Sequence, residues 1–415
     1  MKFLHVADLH IGKIVNDFSM LEDQKFILEQ IKNLALANAA EGLLIAGDVY
    51  DRAIPPAEAV AVFDRFLTEL SELGIRVFLI AGNHDSPERI SYGEDFFDRA
   101  GVHISGVLKE ELQVVKLPQE YGELQVVLLP FIKPAQAGVK TTQEAVEKLL
   151  AGYWEREQSR AGSGAGGCCP EAREEGRRLP GKATEKEIRK NPEKDVVRRI
   201  LITHYFVTDA GREPELSDSE TTVHVGGLDN VDASVFKGFD YVALGHIHKP
   251  QRIGNRPIWY SGSPLQYSFG ETQQTKQAIL LDIEEEGLKE VQFLPLKPLR
   301  EMRKLTGTLK ELMEEEAFRE SYSGDYIQAV LTDRGELIDP IGTLRSAYPN
   351  VMQIIRQEVL KSGVGESTDS SGRRLLAEKK DTKALFEAFY REVRGEELGE
   401  ERQQIITELI KEMEV

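Results

Sequence analysis

Five short apolar runs in this chain each lead into residues that bind metals, and that recurrence constrains the fold more than any bulk property. Phe3–Ala7 leads into Asp8-Leu9-His10, and Leu43–Ala46 into Gly47-Asp48-Val49-Tyr50-Asp51. Val77–Ala81 leads into Gly82-Asn83-His84-Asp85, Ile200–Thr203 into His204, and Tyr241–Leu244 into Gly245-His246-Ile247-His248. Val126–Leu129 and Ile258–Ser261 are two further runs of the same kind. Residues 21–39 (Leu21, Phe26, Ile27, Ile31, Leu34) and 57–73 (Val60, Phe63, Phe66, Leu67, Leu70) carry helical spacing between them. Strands alternating with helices predict an α/β layered domain with buried strands. In such sheets ligands bind beyond the carboxyl ends of the strands, where all five motifs fall. Glycines before three of the motifs permit tight turns and close backbone approach.

The residue types suit borderline divalent ions such as Mn²⁺, Fe²⁺ or Zn²⁺, because imidazole and carboxylate occur together. Asp8, His10, Asp48, Asn83, His204, His246 and His248 are seven candidate ligands, more than one ion needs. Shared between two ions with Asp48 as a bridge, they leave positions open for water and a phosphate. Two ions about 3.5–4 Å apart can activate a hydroxide and stabilise both attacking and leaving oxygens. A single Asp-x-His or His-x-His is weak evidence; five motifs in order, each after a strand, are strong. The isolated His5, His103 and His224 are read as structural. Asp51 and Asp85 are read as support behind the ligands, with plain turn chemistry as the alternative.

Charge and boundaries refine this picture. The net charge of −18 over 415 residues argues against DNA binding through a simple basic surface. Bound divalent ions offset it locally, and residues 381–415 hold ten Asp/Glu against five Lys/Arg. No apolar run approaches the ~20 residues of a membrane span. The opening residues read as a strand, and Cys168 and Cys169 are adjacent, poorly placed for a disulfide. A cytoplasmic protein is expected, with no membrane contact. Residues 155–197 are rich in Gly, Lys, Arg and Glu and read as a mobile insertion. Within them Gly176-x4-Gly181-Lys182 imitates a phosphate-binding loop, but Ala183 stands where Ser/Thr would hold magnesium and no strand precedes it.

The motifs resemble those of the calcineurin-like metallophosphoesterases over residues 1 to about 265: D-x-H, G-D-x-x-D, G-N-H-D, a lone His and G-H-x-H. The resemblance implies one ion held by Asp8, His10, Asp48 and His248, and another by Asp48, Asn83, His204 and His246. His84 then matches the catalytic histidine, stabilising the phosphate or protonating the leaving oxygen. Finer likeness is to the SbcD-like nuclease subunits of DNA-repair complexes. It rests on the opening Met1–Lys13, on Pro55-Pro56 after the second motif, on Ala81–Ser86, on Tyr241–His248, and on Tyr260-Ser261-Gly262-Ser263-Pro264 with Ser268-Phe269. That family implies an Mn²⁺-dependent double-strand exonuclease and single-strand or hairpin endonuclease, a homodimer, and pairing with an SbcC-like ATPase. The alternatives are a stand-alone phosphoesterase acting on nucleotides or phosphoproteins, and an inactive scaffold on the same fold.

The expected organisation is α/β: a layered β-sandwich nuclease core flanked by helices over 1–297, a smaller α/β capping domain over 298–360, and a linker over 361–380. A C-terminal helical hairpin follows over 381–415. Its two apolar faces, Leu385, Phe386, Phe389, Tyr390, Val393 and Ile405, Ile406, Leu409, Ile410, Met413, are read as docking onto a partner, with packing on their own chain as the alternative, and the resemblance implies that the partner is the SbcC-like ATPase.

Overall fold

The computed structural model describes residues 1–163, 196–217, 230–314, 322 and 324–357, the side chains of 161–163 excepted. All of these lie in one unit, Met1–Glu358. The expected linker and hairpin, most of the insertion, His224 and both cysteines lie outside the described residues.

Two six-stranded sheets form the core. The first contains β1 (Lys2–Val6), β2 (Gly42–Ala46), β3 (Arg76–Ile80) and β4 (Val102–Ser105), all parallel. The second is built on β5 (Gln113–Gln119), β6 (Gly122–Leu129), β7 (Val196–His204) and β8 (Tyr241–Gly245), with β6, β7 and β8 parallel. The edge strand β9 (Gln251–Arg252) and its neighbour β10 (Ile258–Tyr260) complete that sheet, in the order β9-β10-β8-β7-β6-β5. The antiparallel β11 (Gln277–Glu284) and β12 (Gly287–Pro295) return to the first, giving β12-β11-β1-β2-β3-β4.

Strand alternation assigns each face its neighbour. Phe3, Leu44, Ala46, Phe78 and Ile80 from the first sheet meet Leu124, Val126, Ile200, Ile202 and Tyr241 from the second. Leu4, Leu43, Ile45, Val77 and Leu79 face outward onto α1 (Leu21–Ala37) and α2 (Ala57–Glu72). Val127, Leu201, Val242 and Leu244 face outward onto Ala145, Val146, Leu150 and Tyr153 of α3 (Thr142–Ser163). Central strands buried on both faces are therefore continuous apolar runs. The helix α3 continues through residues 155–163, so the sequence change at 155 does not end it; its apolar contacts with the sheet come from Ala145, Val146, Leu150 and Tyr153.

Beyond the sandwich, β13 (Met302–Gly307), β14 (Tyr326–Leu331) and β15 (Val351–Arg356) form a parallel three-stranded sheet. Helices Leu309–Glu314 and Pro340–Arg345 accompany it. Leu305, Leu312, Ile327, Ala329, Leu331, Leu344, Tyr348 and Val351 give it a core of its own. Buried Asp23 on α1 accepts hydrogen bonds from the Tyr326 hydroxyl at 2.7 Å and from Arg300 at 2.5 Å, joining this subdomain to the sandwich.

Candidate metal centre

Parallel strands put their carboxyl ends on one edge, and all the sequence motifs lie there. Asp8 and His10 follow β1, Asp48 follows β2, and Asn83 and His84 follow β3. His204 ends β7, and His246 and His248 follow β8, so both sheets contribute. The chain bends sharply at this edge. Asp8, His10, Asp48 and His246 have φ of 54°, 43°, 50° and 101°, in the left-handed region that side chains disfavour. Four strained residues at one edge mark a functional site, and nothing in the sequence announces them.

Close approach also requires glycine. A Cβ on Gly82 would lie 2.1 Å from Asp48 Oδ1, and one on Gly245 would lie 2.0 Å from the Ala46 carbonyl oxygen. The loops are then tied together. Asp8 and His10 donate their backbone N–H to the carbonyls of Gly47 and Asp48 at 3.1 and 3.0 Å. Buried Asp85 accepts from the backbone N–H of Val49, Tyr50 and Gly82 at 3.1, 2.9 and 2.9 Å. Burial and the nearby Asp48 charge raise its carboxyl to about 6. Asp51 accepts from Lys13 at 2.6 Å and lies 3.8 Å from His10 Nδ1.

The seven candidate ligands converge. His10 Nε2 and His248 Nε2 stand 3.0 Å apart. Asp48 Oδ2 lies 3.8 Å from His10 Nε2 and 3.3 Å from His204 Nε2, between the two groups. Asn83 Oδ1 is 3.0 Å from His204 Nε2 and 2.9 Å from His246 Nδ1. Asp8 accepts from the His246 backbone N–H at 2.9 Å, and its carboxylate comes within 4.8 Å of His10 and His248, and equally of Asp48 and His204. Asp8, His10, Asp48, His204 and His248 are buried. Asn83, His84 and His246 line the more open side. There His84 donates its backbone N–H to Asp48 Oδ1 at 2.9 Å, and its Nδ1 sits 3.0 Å from the Asp51 carbonyl.

The protonation states of His10 and His248 favour metal binding, whereas His204 carries a second proton, beside Asp48, that a cation would have to displace. Burial pushes the His10 and His248 imidazoles below their ordinary range, so both are neutral near pH 7. Burial alone would raise the Asp48 carboxyl, but His204, His10 and His84 hold it far below the carboxylate range. Burial likewise opposes charge on His204, which Asp48 and Asp8 nonetheless raise to about 9. The His204 Nδ1 lies 2.7 Å from the Ala46 carbonyl and carries the proton there. A carboxylate also stands behind the Nδ1 of His10 and of His248, at 3.8 and 3.7 Å. With Nδ1 protonated on both rings, the two Nε2 lone pairs would face each other, a repulsion a cation would remove. The donor set therefore fits divalent ions.

Sequence reading missed the scaffold behind the ligands. Buried Gln24 on α1 donates to the His10 carbonyl at 2.7 Å and accepts from Gly12 N–H at 2.9 Å. The Tyr267 hydroxyl donates to the Leu9 carbonyl. Glu271, behind His248, pairs with Lys276 at 2.6 Å, and the two partners hold its carboxyl down to about 2 although burial would raise it. These residues sit in a helix and a polar loop with no motif to flag them. His5 and His103 stand outside the cluster: His5 Nδ1 is 3.0 Å from the Tyr241 hydroxyl, and His103 Nδ1 is 2.6 Å from Asp98.

The family model of the calcineurin-like phosphoesterases matches residues 1–250. A second model, SbcD_C, described as the type 5 capsule protein repressor C-terminal domain, matches residues 298–394. A Staphylococcus epidermidis protein described as the D component of the nuclease SbcCD is 32% identical across 99% of this chain and 98% of its own length. The chain belongs to the SbcD family of calcineurin-like phosphoesterases. A Staphylococcus saprophyticus protein of the same description is 28% identical, covering 99% of each chain. A dimetal phosphatase structure from Danio rerio is 12% identical over 72% of this chain and 99% of its own, with a TM-score of 0.39, too distant to argue from. The resemblance read from the motifs thus holds along the whole chain, and phosphoester hydrolysis with divalent ions is the chemistry of this SbcD-family site. Among the described residues no helix is long and apolar enough to cross a membrane.

Proposed function

We propose that this chain is the nuclease subunit of an SbcC–SbcD-type complex, hydrolysing DNA phosphodiester bonds with two divalent ions, Mn²⁺ by preference. One ion would be held by Asp8, His10, Asp48 and His248, the other by Asp48, Asn83, His204 and His246. The observation that carries this reading is the position of Asp48 Oδ2, within 4 Å of Nε2 atoms from both groups. When bound, such ions supply Lewis-acid activation of water and stabilisation of charge on the phosphate. The chain's own part is to orient and to move one proton. Asp85 and Gln24 fix the loops, and the buried walls exclude water from all but the side of Asn83, His84 and His246. His84 Nδ1 donates to the Asp51 carbonyl and keeps that proton, which turns Nε2 outward: an imidazolium there gives its Nε2 proton to the leaving oxygen and is left as the neutral Nδ1–H ring. The exonuclease and hairpin-endonuclease activities, the homodimer, the cytoplasmic location and the ATPase docked through residues 381–415 all belong to this reading. Its support is the family membership and, for the partner, the "SbcCD" description of both relatives.

The test is cleavage of double-stranded DNA in Mn²⁺, with and without an SbcC-like ATPase. Degradation from the ends that is stimulated by the ATPase is expected. Hydrolysis of nucleotide monoesters but not of DNA would contradict the reading and favour the stand-alone phosphoesterase.

A further inference from the structure

Two charged side chains behind the metal centre take no part in ligation yet are almost completely buried: Glu271 and Lys276, 0% and 4% exposed. They pair at 2.6 Å between Glu271 Oε2 and Lys276 Nζ. Burying an ion pair generally gains little over an apolar pair of similar volume, so its presence calls for a use beyond stability. The surroundings supply one. Lys276 Nζ donates to the His248 carbonyl at 3.0 Å, to Ser263 Oγ at 2.9 Å and to Gln274 Oε1 at 3.0 Å. The lysine is thus fixed to the backbone of the loop that carries His248. Glu271 Oε2 also accepts from Tyr267 N–H at 3.4 Å, while Oε1 faces His248 Nδ1 at 3.7 Å. The opposite ring nitrogen, His248 Nε2, is the one beside His10 Nε2.

We propose that Glu271 is a positioning residue for the metal centre, holding the His248 imidazole in the Nδ1–H tautomer that presents Nε2, with Lys276 locking the carboxylate in place. This rests on the two-ion reading above. A carboxylate behind a ligating histidine orients the ring and raises its basicity. His204 has a backbone carbonyl in the equivalent place, at 2.7 Å. The two halves of the centre are therefore unequal, and loss of Glu271 weakens one ion selectively.

The test is an equilibrium titration of the metal-free full-length chain with Mn²⁺, paired with ¹⁵N-histidine spectra before metal is added. Glu271→Ala alone strands a buried ammonium and risks misfolding, so the informative variants are Glu271→Gln and the charge-free double variant Glu271→Met/Lys276→Met. The double variant is expected to bind one ion about 10–100-fold more weakly, the other normally, and to lose the Nδ1–H preference of His248. Glu271→Gln keeps an oxygen acceptor and is expected to stay within a few-fold of the parent. A double variant that titrates like the parent, or keeps the His248 tautomer, overturns the proposal. So does a Gln variant as impaired as the double variant, which would show that the charge pair rather than the acceptor matters. If the parent itself takes up a single ion, the two-ion reading fails. Its comparison with the double variant still decides the role of Glu271: weaker binding upholds it, equal binding overturns it.

Discussion

Gly82 and His84 flank one proposed ligand, Asn83, and do different work. The Gly82 backbone passes so near Asp48 that a methyl group would sit 2.1 Å from Oδ1. Gly82→Ala must therefore move the carboxylate or the loop. Mn²⁺ affinity measured by calorimetric titration is expected to fall by about tenfold or more, the size of effect seen when ligand-orienting groups are lost. Unchanged affinity would mean that Asp48 is not a ligand in that position. His84 hydrogen-bonds Asp48 through its backbone N–H, and its ring nitrogen comes within 4.8 Å of the Asp48 carboxylate and of His10. His84→Ala is expected to lower cleavage by about 10²–10⁴-fold, the usual worth of a general acid, while metal content by elemental analysis stays at that of the parent. A variant that loses an ion would make His84 a ligand and redraw the partition of the seven.

The parallel strands leading to the motifs were legible as apolar runs: those beginning at Phe3, Leu43, Val77, Ile200 and Tyr241 match β1, β2, β3, β7 and β8 to within a few residues, whereas the antiparallel β11, buried on both faces too, was not read. Edge strands were not legible. In β12 only Gly287 is buried and the rest is half-buried or exposed, and β5 has a single buried position, so neither forms a buried apolar run. The helix α3 escaped because charged residues surround its narrow apolar stripe. The motif residues could be read because strand ends carry them; Glu271, Lys276, Gln24 and Tyr267 could not, because only the fold brings them behind the ligands. Strand β1 also carries a testable burden. His5 lies fully buried between the sheets, and burial lowers its pKa from 6.5 to about 3 despite a Leu244 backbone hydrogen bond. A histidine depressed in the folded state stays neutral there while the unfolded chain takes up a proton below pH 6.5. Stability is thus full above pH 6.5 and falls by about 1.4 kcal/mol per pH unit as pH drops toward 3. Urea denaturation of the metal-free protein between pH 7 and pH 5 is expected to show about 2 kcal/mol less loss for His5→Gln than for the parent. Equal losses would show that His5 is not the group titrating.

The molecule as a whole makes the site, because Asp8, His10, Asp48 and Asn83 come from the loops of one sheet and His204, His246 and His248 from the other. On the proposed nuclease reading, its net charge of −18 leaves DNA capture to the metal centre and to a partner. Deleting residues 381–415 is accordingly expected to preserve Mn²⁺-dependent cleavage by the isolated chain and to abolish co-purification with an SbcC-like ATPase. Phe386→Glu is expected to mimic the deletion, because an unpaired charge buried in an interface costs about 3–5 kcal/mol. Full recovery of the truncated chain with the ATPase would move the interface elsewhere. Joining the two sheets through one carboxylate is what the whole account depends on, and a crystal structure of the Mn²⁺-loaded protein with anomalous data at the manganese edge measures it. Two anomalous peaks with the Asp48 carboxylate touching both are predicted, Asp8, His10 and His248 on one side and Asn83, His204 and His246 on the other. A single peak, or two peaks with Asp48 on only one of them, would contradict it.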